Sequence, residues 1–267
     1  MPSIHHIELT GAIPTDLYAH ANGLRALVTR WIAAAAPEHP AIVQHKGQAT
    51  KPYTISPLYA EGAQTCGFDL ALLDDGELAQ LIPEGIGRTG AAVTLGGQAY
   101  QLAGAPKAVA ACSWDELVVG AVNAPEQQWA FELVTPTATS GKGKYSKQCP
   151  TLTPESYFIS WAYRWTTCVP ARYQHIIDLT TVEAWVETGV AVSCFNGGTV
   201  GIDLFERGRR VPFIGFVGQV MFRALPEFVE QTPHALETLT ALARFAPFCG
   251  TGKDAMRGMG QTRLLTL

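Results

Sequence analysis

Residues 211–223 read VPFIGFVGQVMFR, and this run of aromatic and β-branched residues predicts a buried strand. Thr232-Pro233 then opens a predicted helix whose leucines recur at every third position. A glycine-rich stretch, CGTGKDAMRGMG, follows at 249–260, and QTRLLTL at 261–267 predicts a closing strand. The order strand, helix, loop, strand is that of the second half of a βαββαβ unit.

The residues upstream supply the first half of the same unit. The segment WAFELVTPT, at 129–137, predicts a strand, and Thr153-Pro154 combines a helix-capping residue with proline at the first helical position. Further strands are predicted at 182–195 and 199–205. The second half of the chain therefore predicts a ferredoxin-like domain.

The first half of the chain predicts a similar order of elements. Its predicted strands and helices, in chain order, are a strand at Ser3–Leu9, a helix from near Thr15, a strand at Cys66–Leu73, a short helix at Glu77–Ile82, and strands near 91–103 and 107–120. We therefore expect an α+β fold of two tandem ferredoxin-like domains, covering residues 1–122 and 123–267.

Composition limits the classes of protein that the chain can belong to. It has 267 residues, 47% of them apolar, and no apolar run near the roughly 20 residues that span a bilayer. Its six cysteines stand singly and its N-terminus does not resemble a secretion signal, so we expect a cytoplasmic protein. The net charge is −4, but residues 201–267 carry eight basic and six acidic residues. Any phosphate binding is therefore expected to be local.

Two glycine patterns resemble nucleotide-binding loops and fail in detail. A P-loop needs its first glycine where Pro247 stands and a hydroxyl residue where Asp254 stands. Residues 85–90 read GIGRTG, which fits the dinucleotide pattern but follows a predicted helix instead of a strand. A nucleotide-binding enzyme remains an alternative only on these incomplete motifs.

The stretch at 249–260 has two other interpretations. Glycines allow backbone N–H groups to turn outward and approach an oxyanion, with Lys253, Arg257 and Arg263 adding charge. A second basic cluster, with Lys142 and Lys144, lies in TSGKGKYSK. Alternatively, the glycines only make a tight connection to the last strand.

Several segments together resemble one known family. The spacing G-x-G, five residues, G-x-G is formed by Gly250, Gly252, Gly258 and Gly260. This spacing resembles the C-terminal signature of the CRISPR repeat-processing endoribonucleases, the Cas6 family of the RAMP superfamily. RRVPFIGFVGQVMFRAL resembles the family's strand before the final helix, LVTPTATSGKGKYSKQCPTLTPESYFISWAYRW the opening of its second domain, and AIVQHKGQATKPYTISPL its histidine-bearing segment.

The resemblance implies cleavage of precursor CRISPR RNA within its repeats, without a metal ion or another cofactor. A ribose 2′-hydroxyl attacks the adjacent phosphate, leaving a 2′,3′-cyclic phosphate and a 5′-hydroxyl. Such chemistry needs an acid, a base and a group that stabilises the charged phosphorane. The implied partner is CRISPR repeat RNA, with no membrane. Other subunits of a CRISPR effector complex, or a second copy of the chain, remain open as further partners.

Histidine titrates near neutral pH, and the resemblance assigns the catalytic role to His45. Lys51 matches a lysine that stabilises charge in some members, and the family's tyrosine on the first helix falls near Thr29. Tyr53 is the candidate to replace that tyrosine. Of the remaining histidines, those in the first strand and helix are expected to pack, and those near proline or in loops, His39 among them, to be solvated. A non-catalytic RNA-binding subunit of an effector complex remains the alternative function.

Overall fold

A computed structural model of the chain describes residues 1–43, 50–140, 148–206 and 209–266. The chain divides into two compact units. Unit 1 comprises Met1–Ala111, Asp203–Pro212 and Met256–Gly258, and unit 2 comprises Cys112–Ile202, Phe213–Ala255 and Met259–Leu267. Within the described ranges, every helix is too short or too polar to cross a membrane.

Unit 1 contains seven strands and three helices among its described residues. In chain order they are β1 (Ser3–Gly11), α1 (Ala21–Ala35), α2 (Pro40–Val43), β2 (Tyr53–Ile55), β3 (Tyr59–Ala60), β4 (Thr65–Leu72), α3 (Glu77–Thr89), β5 (Ala92–Leu95), β6 (Gln98–Leu102) and β7 (Lys107–Ala111).

The strands of unit 1 form one antiparallel sheet in the order β2-β4-β1-β6-β5, with β3 beside β4 and β7 beside β1. Alternation along β1 turns Ile7 and Leu9 into the core, where α1 adds Val28 and Trp31. The opposite face of β1 carries His6. The sheet thus has its core on the side of the two long helices.

The glycine pattern at 85–90, which resembles a dinucleotide-binding loop, lies in α3 and contributes to packing against α1. Gly85 lies inside α3, where a Cβ atom would overlap the carbonyl oxygen of Trp31 in α1. Gly87, two residues further along α3, has no atom within 4 Å of such a Cβ. The absence of a side chain at Gly85 therefore allows the backbones of α1 and α3 to approach closely.

The remaining helices and strands described belong to unit 2, except where they include Asp203–Pro212 or Met256–Gly258, which are part of unit 1. They are α4 (Trp114–Asn123), β8 (Gln128–Thr137), β9 (Thr139–Ser140), β10 (Gln148–Cys149), α5 (Pro154–Cys168), α6 (Ala171–Gln174), α7 (Leu179–Gly189), β11 (Val190–Glu206), β12 (Arg209–Ala224), α8 (Pro226–Gln231), α9 (Ala235–Cys249), a 3₁₀ turn (Ala255–Arg257) and β13 (Thr262–Leu265).

The main sheet of unit 2 has the order β11-β12-β8-β13. The first strand, β8, lies between β12 and β13 and pairs antiparallel with both. With α5 and α9 as the helices of the two halves, this is the ferredoxin-like βαββαβ arrangement. The predicted fold class is confirmed.

The first helix begins later than the sequence pattern predicts. Its N-terminus is Ala21 instead of a residue near Thr15. Asp16 accepts a hydrogen bond from the backbone N–H of Tyr18 at 2.9 Å, which favours a turn at this point. Leu17, which precedes the helix, is 43% exposed.

Two helices occupy segments for which strands were predicted. Residues 114–123 form α4, whose Ser113 and Glu116 make a complete capping box. Residues 179–189 form α7, which is capped by Asp178 through the N–H of Thr181. In both segments the capping residues determine the start of a helix despite the valine-rich composition. At the C-terminal end of α9, Pro247 lies within the last turn, and the helix continues to Cys249.

Candidate active site

The segment that joins α2 to β2 contains the residue predicted to be catalytic. His45 lies outside the described residues, as do the rest of 44–49. The two other predicted residues, Lys51 and Tyr53, are described, and they follow this segment directly. The geometry of the site is therefore given by the ends of the segment and by the helix α1.

Lys51 is a buried cation in unit 1. Its side chain is only 3% exposed, and its Nζ atom donates a hydrogen bond of 2.5 Å to the carbonyl oxygen of Ala41 in α2. Burial, and then the nearby positive charge of Arg25, hold the pKa of Lys51 below its usual value. A buried ammonium group is costly to maintain, so it favours the approach of an anion.

The side chain of Tyr53, in β2, contacts helix α1. Its ring belongs to the core of unit 1, and its hydroxyl lies 3.2 Å from Oγ1 of Thr29. Thr29 in turn donates a hydrogen bond of 2.8 Å to the carbonyl oxygen of Arg25. Burial raises the pKa of Tyr53, while the hydrogen bond with Thr29 and the charge of Arg25 act in the opposite direction. The Tyr53 hydroxyl thus reaches the place on α1 where the resemblance puts a tyrosine.

Histidines of the first strand and helix have structural partners. His6 lies between two carboxylates, with Nδ1 3.1 Å from Asp69 and Nε2 3.2 Å from Glu61. His20 is buried, and its Nε2 lies 3.2 Å from the hydroxyl of Tyr100. These two side chains are held within unit 1.

The prediction that His39 is solvated is wrong. This side chain is buried, and its Nδ1 accepts a hydrogen bond of 3.1 Å from the backbone N–H of Ala41. Its Nε2 lies 3.6 Å from a carboxylate oxygen of Glu77. His39 thus stabilises the start of α2, immediately before the predicted catalytic segment.

The glycine stretch differs from the expected outward-facing cradle. Seven backbone N–H groups in and just after the stretch donate hydrogen bonds to acceptors within unit 2. The donors are Gly250, Thr251, Gly252, Lys253, Met259, Gly260 and Gln261. The glycines instead adopt positive φ angles and allow close approach of neighbouring backbone atoms. A Cβ at Gly252 would overlap the carbonyl oxygen of Ala138, and one at Gly260 that of Thr251. Tight turns, and not free backbone donors, explain these glycines.

One face of α5 holds the first pair of glycines in place. Ser160 accepts from the N–H of Gly252 at 2.9 Å, and Trp161 donates to Oγ1 of Thr251 at 2.9 Å. Arg164 donates to the carbonyl oxygen of Gly252 at 3.2 Å. The sequence analysis predicted the start of α5 at Thr153-Pro154 but did not indicate this role.

Three residues of the stretch, Met256–Gly258, belong to unit 1. Met256 packs against the hydrophobic core of unit 1, and a Cβ at Gly258 would lie 2.8 Å from the backbone nitrogen of Pro57. Pro57 comes two residues after β2, the strand that begins with Tyr53. Unit 1 therefore contains both the ends of the predicted catalytic segment and Arg257.

The remaining basic residues predicted to bind RNA have different surroundings. Lys253 and Arg257 are partly buried. Arg263 is exposed and lies 3.1 Å from the carboxylate of Glu132 on the neighbouring strand β8. Lys142 and Lys144 lie outside the described residues. Over the described ranges, no group of three His, Cys, Asp or Glu side chains is arranged to hold a metal ion.

Comparison with protein families gives one match. Residues 131–262 match the model of a family described as CRISPR-associated endoribonuclease Cas6. A comparison with curated proteins gave no match.

Solved Cas6 structures match the whole chain. A product complex of a Thermus thermophilus Cas6 protein aligns with a TM-score of 0.79 and 25% identity, over 99% of this chain and 100% of that one. A product complex of a second Cas6 protein has a TM-score of 0.74 and 20% identity, with 100% of both chains covered. Another structure of the same Thermus thermophilus protein has a TM-score of 0.68 and 23% identity, over 99% of this chain and 98% of that one. The chain is therefore similar to the Cas6 family of CRISPR-associated endoribonucleases, in sequence over residues 131–262 and in fold over its whole length.

Proposed function

We propose that this chain cleaves precursor CRISPR RNA within its repeats by attack of a ribose 2′-hydroxyl on the adjacent phosphate. The observation that carries the proposal is the full-length match to a Cas6 product complex. The buried cation Lys51, next to the segment that contains His45, supports the same reaction. The products are a 2′,3′-cyclic phosphate and a 5′-hydroxyl.

Each residue of the proposed site has a separate role. His45 transfers a proton to or from a reacting oxygen, because imidazole exchanges protons near neutral pH. Lys51 stabilises the charge that develops on the phosphorane. Tyr53 is buried in the core, and we assign it the role of holding Thr29 and the adjoining face of α1 beside Lys51. The mechanism needs no metal ion.

The glycine stretch serves as the RNA-binding element. Gly250, Gly252, Gly258 and Gly260 set its shape, and the side chains of Lys253 and Arg257 contact the RNA backbone. The other basic side chains proposed to contact the RNA backbone are Arg263, Lys142 and Lys144. Arg263 must exchange its contact with Glu132 for a phosphate, which weakens its contribution.

The test compares two histidine variants on repeat RNA in the presence of EDTA. We expect the wild-type chain to cut each repeat once and His45→Ala to lose about a hundredfold or more in rate, the scale of a positioned proton-transfer group. His175 is exposed, and His175→Ala provides the matched control with an unchanged rate. Retention of activity in His45→Ala would remove that histidine from the mechanism.

The alternative is an RNA-binding subunit without catalysis, favoured by threonine in place of the family's tyrosine at position 29. It predicts a stable complex of the wild-type chain with intact repeat RNA. Turnover in the same incubation excludes this alternative. Tight binding with no product after prolonged incubation would instead establish it.

A further inference from the structure

Two buried threonines of unit 2 lie within and just after the glycine stretch. Thr251 is fully buried, and Thr262, the first residue of β13, is only 4% exposed. Their hydroxyl oxygens lie 2.7 Å apart, and the hydroxyl of Thr262 donates to the carbonyl oxygen of Gly260 at 2.9 Å. Because a hydroxyl has one proton to donate, Thr251 is the donor to Thr262.

Trp161 fixes the direction of these hydrogen bonds. Its indole N–H, which can only donate, reaches Oγ1 of Thr251 at 2.9 Å. A hydroxyl chain thus runs from Trp161 through Thr251 and Thr262 to the carbonyl oxygen of Gly260. Each bond of such a buried chain polarises the next, and loss of one hydroxyl leaves its neighbours without a partner.

The hydroxyl chain joins the two glycine pairs of the stretch. Thr251 lies between Gly250 and Gly252, whereas Gly260 belongs to the second pair. The backbone N–H of Thr251 also donates to the carbonyl oxygen of Gly260 at 2.8 Å. The two ends of the stretch are thus closed into one hydrogen-bonded ring.

Lys253 directly follows the first glycine pair, and its backbone is held on both sides. Gly252 before it has a φ of 77° and Asp254 after it has a φ of 59°, both in the left-handed region. A non-glycine residue such as Asp254 keeps this conformation only where its surroundings fix it. The N–H of Lys253 donates to the carbonyl oxygen of Ala138 at 2.8 Å. Buried groups of unit 2 therefore set the direction in which the Lys253 side chain leaves the backbone.

We propose that Thr251 and Thr262 are positioning residues for RNA binding, acting through Lys253. The hydroxyl chain holds the stretch in its binding conformation before the RNA arrives, which reduces the entropy lost on binding. The inference rests on the proposed function, because that function has Lys253 contacting an RNA phosphate. It requires an effect on affinity and none on the chemical step, since the hydroxyl chain contains no proposed catalytic residue.

The experiment measures affinity for repeat RNA and the single-turnover cleavage rate at saturating protein. Thr251→Val removes the hydroxyl at nearly constant shape, whereas Thr251→Ser retains it. We expect Thr251→Val to bind about tenfold more weakly, the scale of ordering one side chain and its backbone. Thr251→Ser should bind within about twofold of wild type, the tolerance of such a comparison. At saturation both variants should cleave at the wild-type rate.

Thr240→Val is the matched control in the same unit. Thr240 is also fully buried, and its hydroxyl oxygen accepts from the indole N–H of Trp129 at 3.3 Å and from the backbone N–H of Glu126 at 2.9 Å. Loss of this hydroxyl should lower the melting temperature, as Thr251→Val does, and leave RNA affinity unchanged. An equal loss of affinity in both variants would overturn the proposal, because it would reflect stability alone.

Lys253→Gln shows whether Thr251 acts through Lys253. In the wild-type chain this change should weaken binding and reduce the slope of log affinity against log salt by about 0.7, the value for one phosphate of a single strand. In the Thr251→Val chain it should have a clearly smaller effect, because the contact is already weakened. Fully additive losses would contradict the proposal.

Two further outcomes complete the test. If Thr251→Val does not fold, Thr262→Val breaks the next bond of the hydroxyl chain, and wild-type affinity for it would overturn the proposal. Wild-type affinity in a folded Thr251→Val also overturns it and leaves the proposed function standing. A wild-type chain that binds repeat RNA without cleaving it refutes the proposed function alone, and one that does not bind refutes both.

Discussion

Lys51 is the described side chain on which most of the proposed chemistry depends. Because burial lowers its pKa, the folded chain binds the lysine proton more weakly than the unfolded chain does. The charged form therefore costs folding stability at neutral pH, and this cost disappears only as the pH rises toward the usual range of lysine. A side chain retained at such a cost is more easily explained by function than by stability.

We therefore expect Lys51→Met to separate activity from stability. Methionine has a similar length and carries no charge, so the melting temperature should stay within about 3 °C of wild type or rise. Cleavage of repeat RNA should fall by about tenfold or more, since charge stabilisation of the phosphorane is lost. The measurements are a thermal melt and a single-turnover rate. A chain that melts much earlier, or one that cleaves normally, would contradict this account of Lys51.

Single residues also show which parts of the candidate site can be predicted from the sequence and which cannot. Family resemblance selected Lys51 and the position of Thr29, and the structure brings Tyr53 to Thr29. The contact between Tyr53 and Thr29 depends on the side of α1 that meets β2, which no local pattern specifies. The buried state of His39 also depends on tertiary contacts, through the N–H of Ala41.

Elements were predicted best where periodicity and caps agreed. The strand β8 and the helix α5, opened by Thr153-Pro154, match their predicted positions. The helices α4 and α7 occupy valine-rich segments, a composition typical of strands, but the caps at Ser113 and Asp178 start a helix in each. Secondary structure at these places follows from the first turn, where the cap satisfies otherwise unpaired N–H groups.

Close packing of α1 against α3 provides a test at the level of elements. Gly85→Ala should destabilise the fold by about 2 kcal/mol or more, because its Cβ would overlap the backbone of Trp31 and force the helices apart. Gly87→Ala on the same helix should stabilise it by about 0.5–1 kcal/mol, since the position is open and alanine is the better helix former. Urea unfolding of the two variants gives both values. Equal effects would show that α1 and α3 are not packed as described.

At the scale of the whole molecule, the two units contain different parts of the proposed site. Unit 2 anchors the glycine stretch through α5 and β8, by hydrogen bonds from Trp161 and to Pro136. Unit 1 contains Lys51, together with residues Met256–Gly258 of the stretch. Element order predicted the α+β fold class. It did not predict that residues from one stretch would be shared between them, because such a division arises only from tertiary contacts.

The most direct test of the central claim uses repeat RNA from the CRISPR array of the same genome, with a single 2′-deoxyribose at the nucleotide upstream of the cut. The account predicts that unmodified RNA is cut once, leaving a 2′,3′-cyclic phosphate. It also predicts that the deoxy substrate is bound but stays intact, because its nucleophile is missing. Cleavage of the deoxy substrate at the same position would contradict the account.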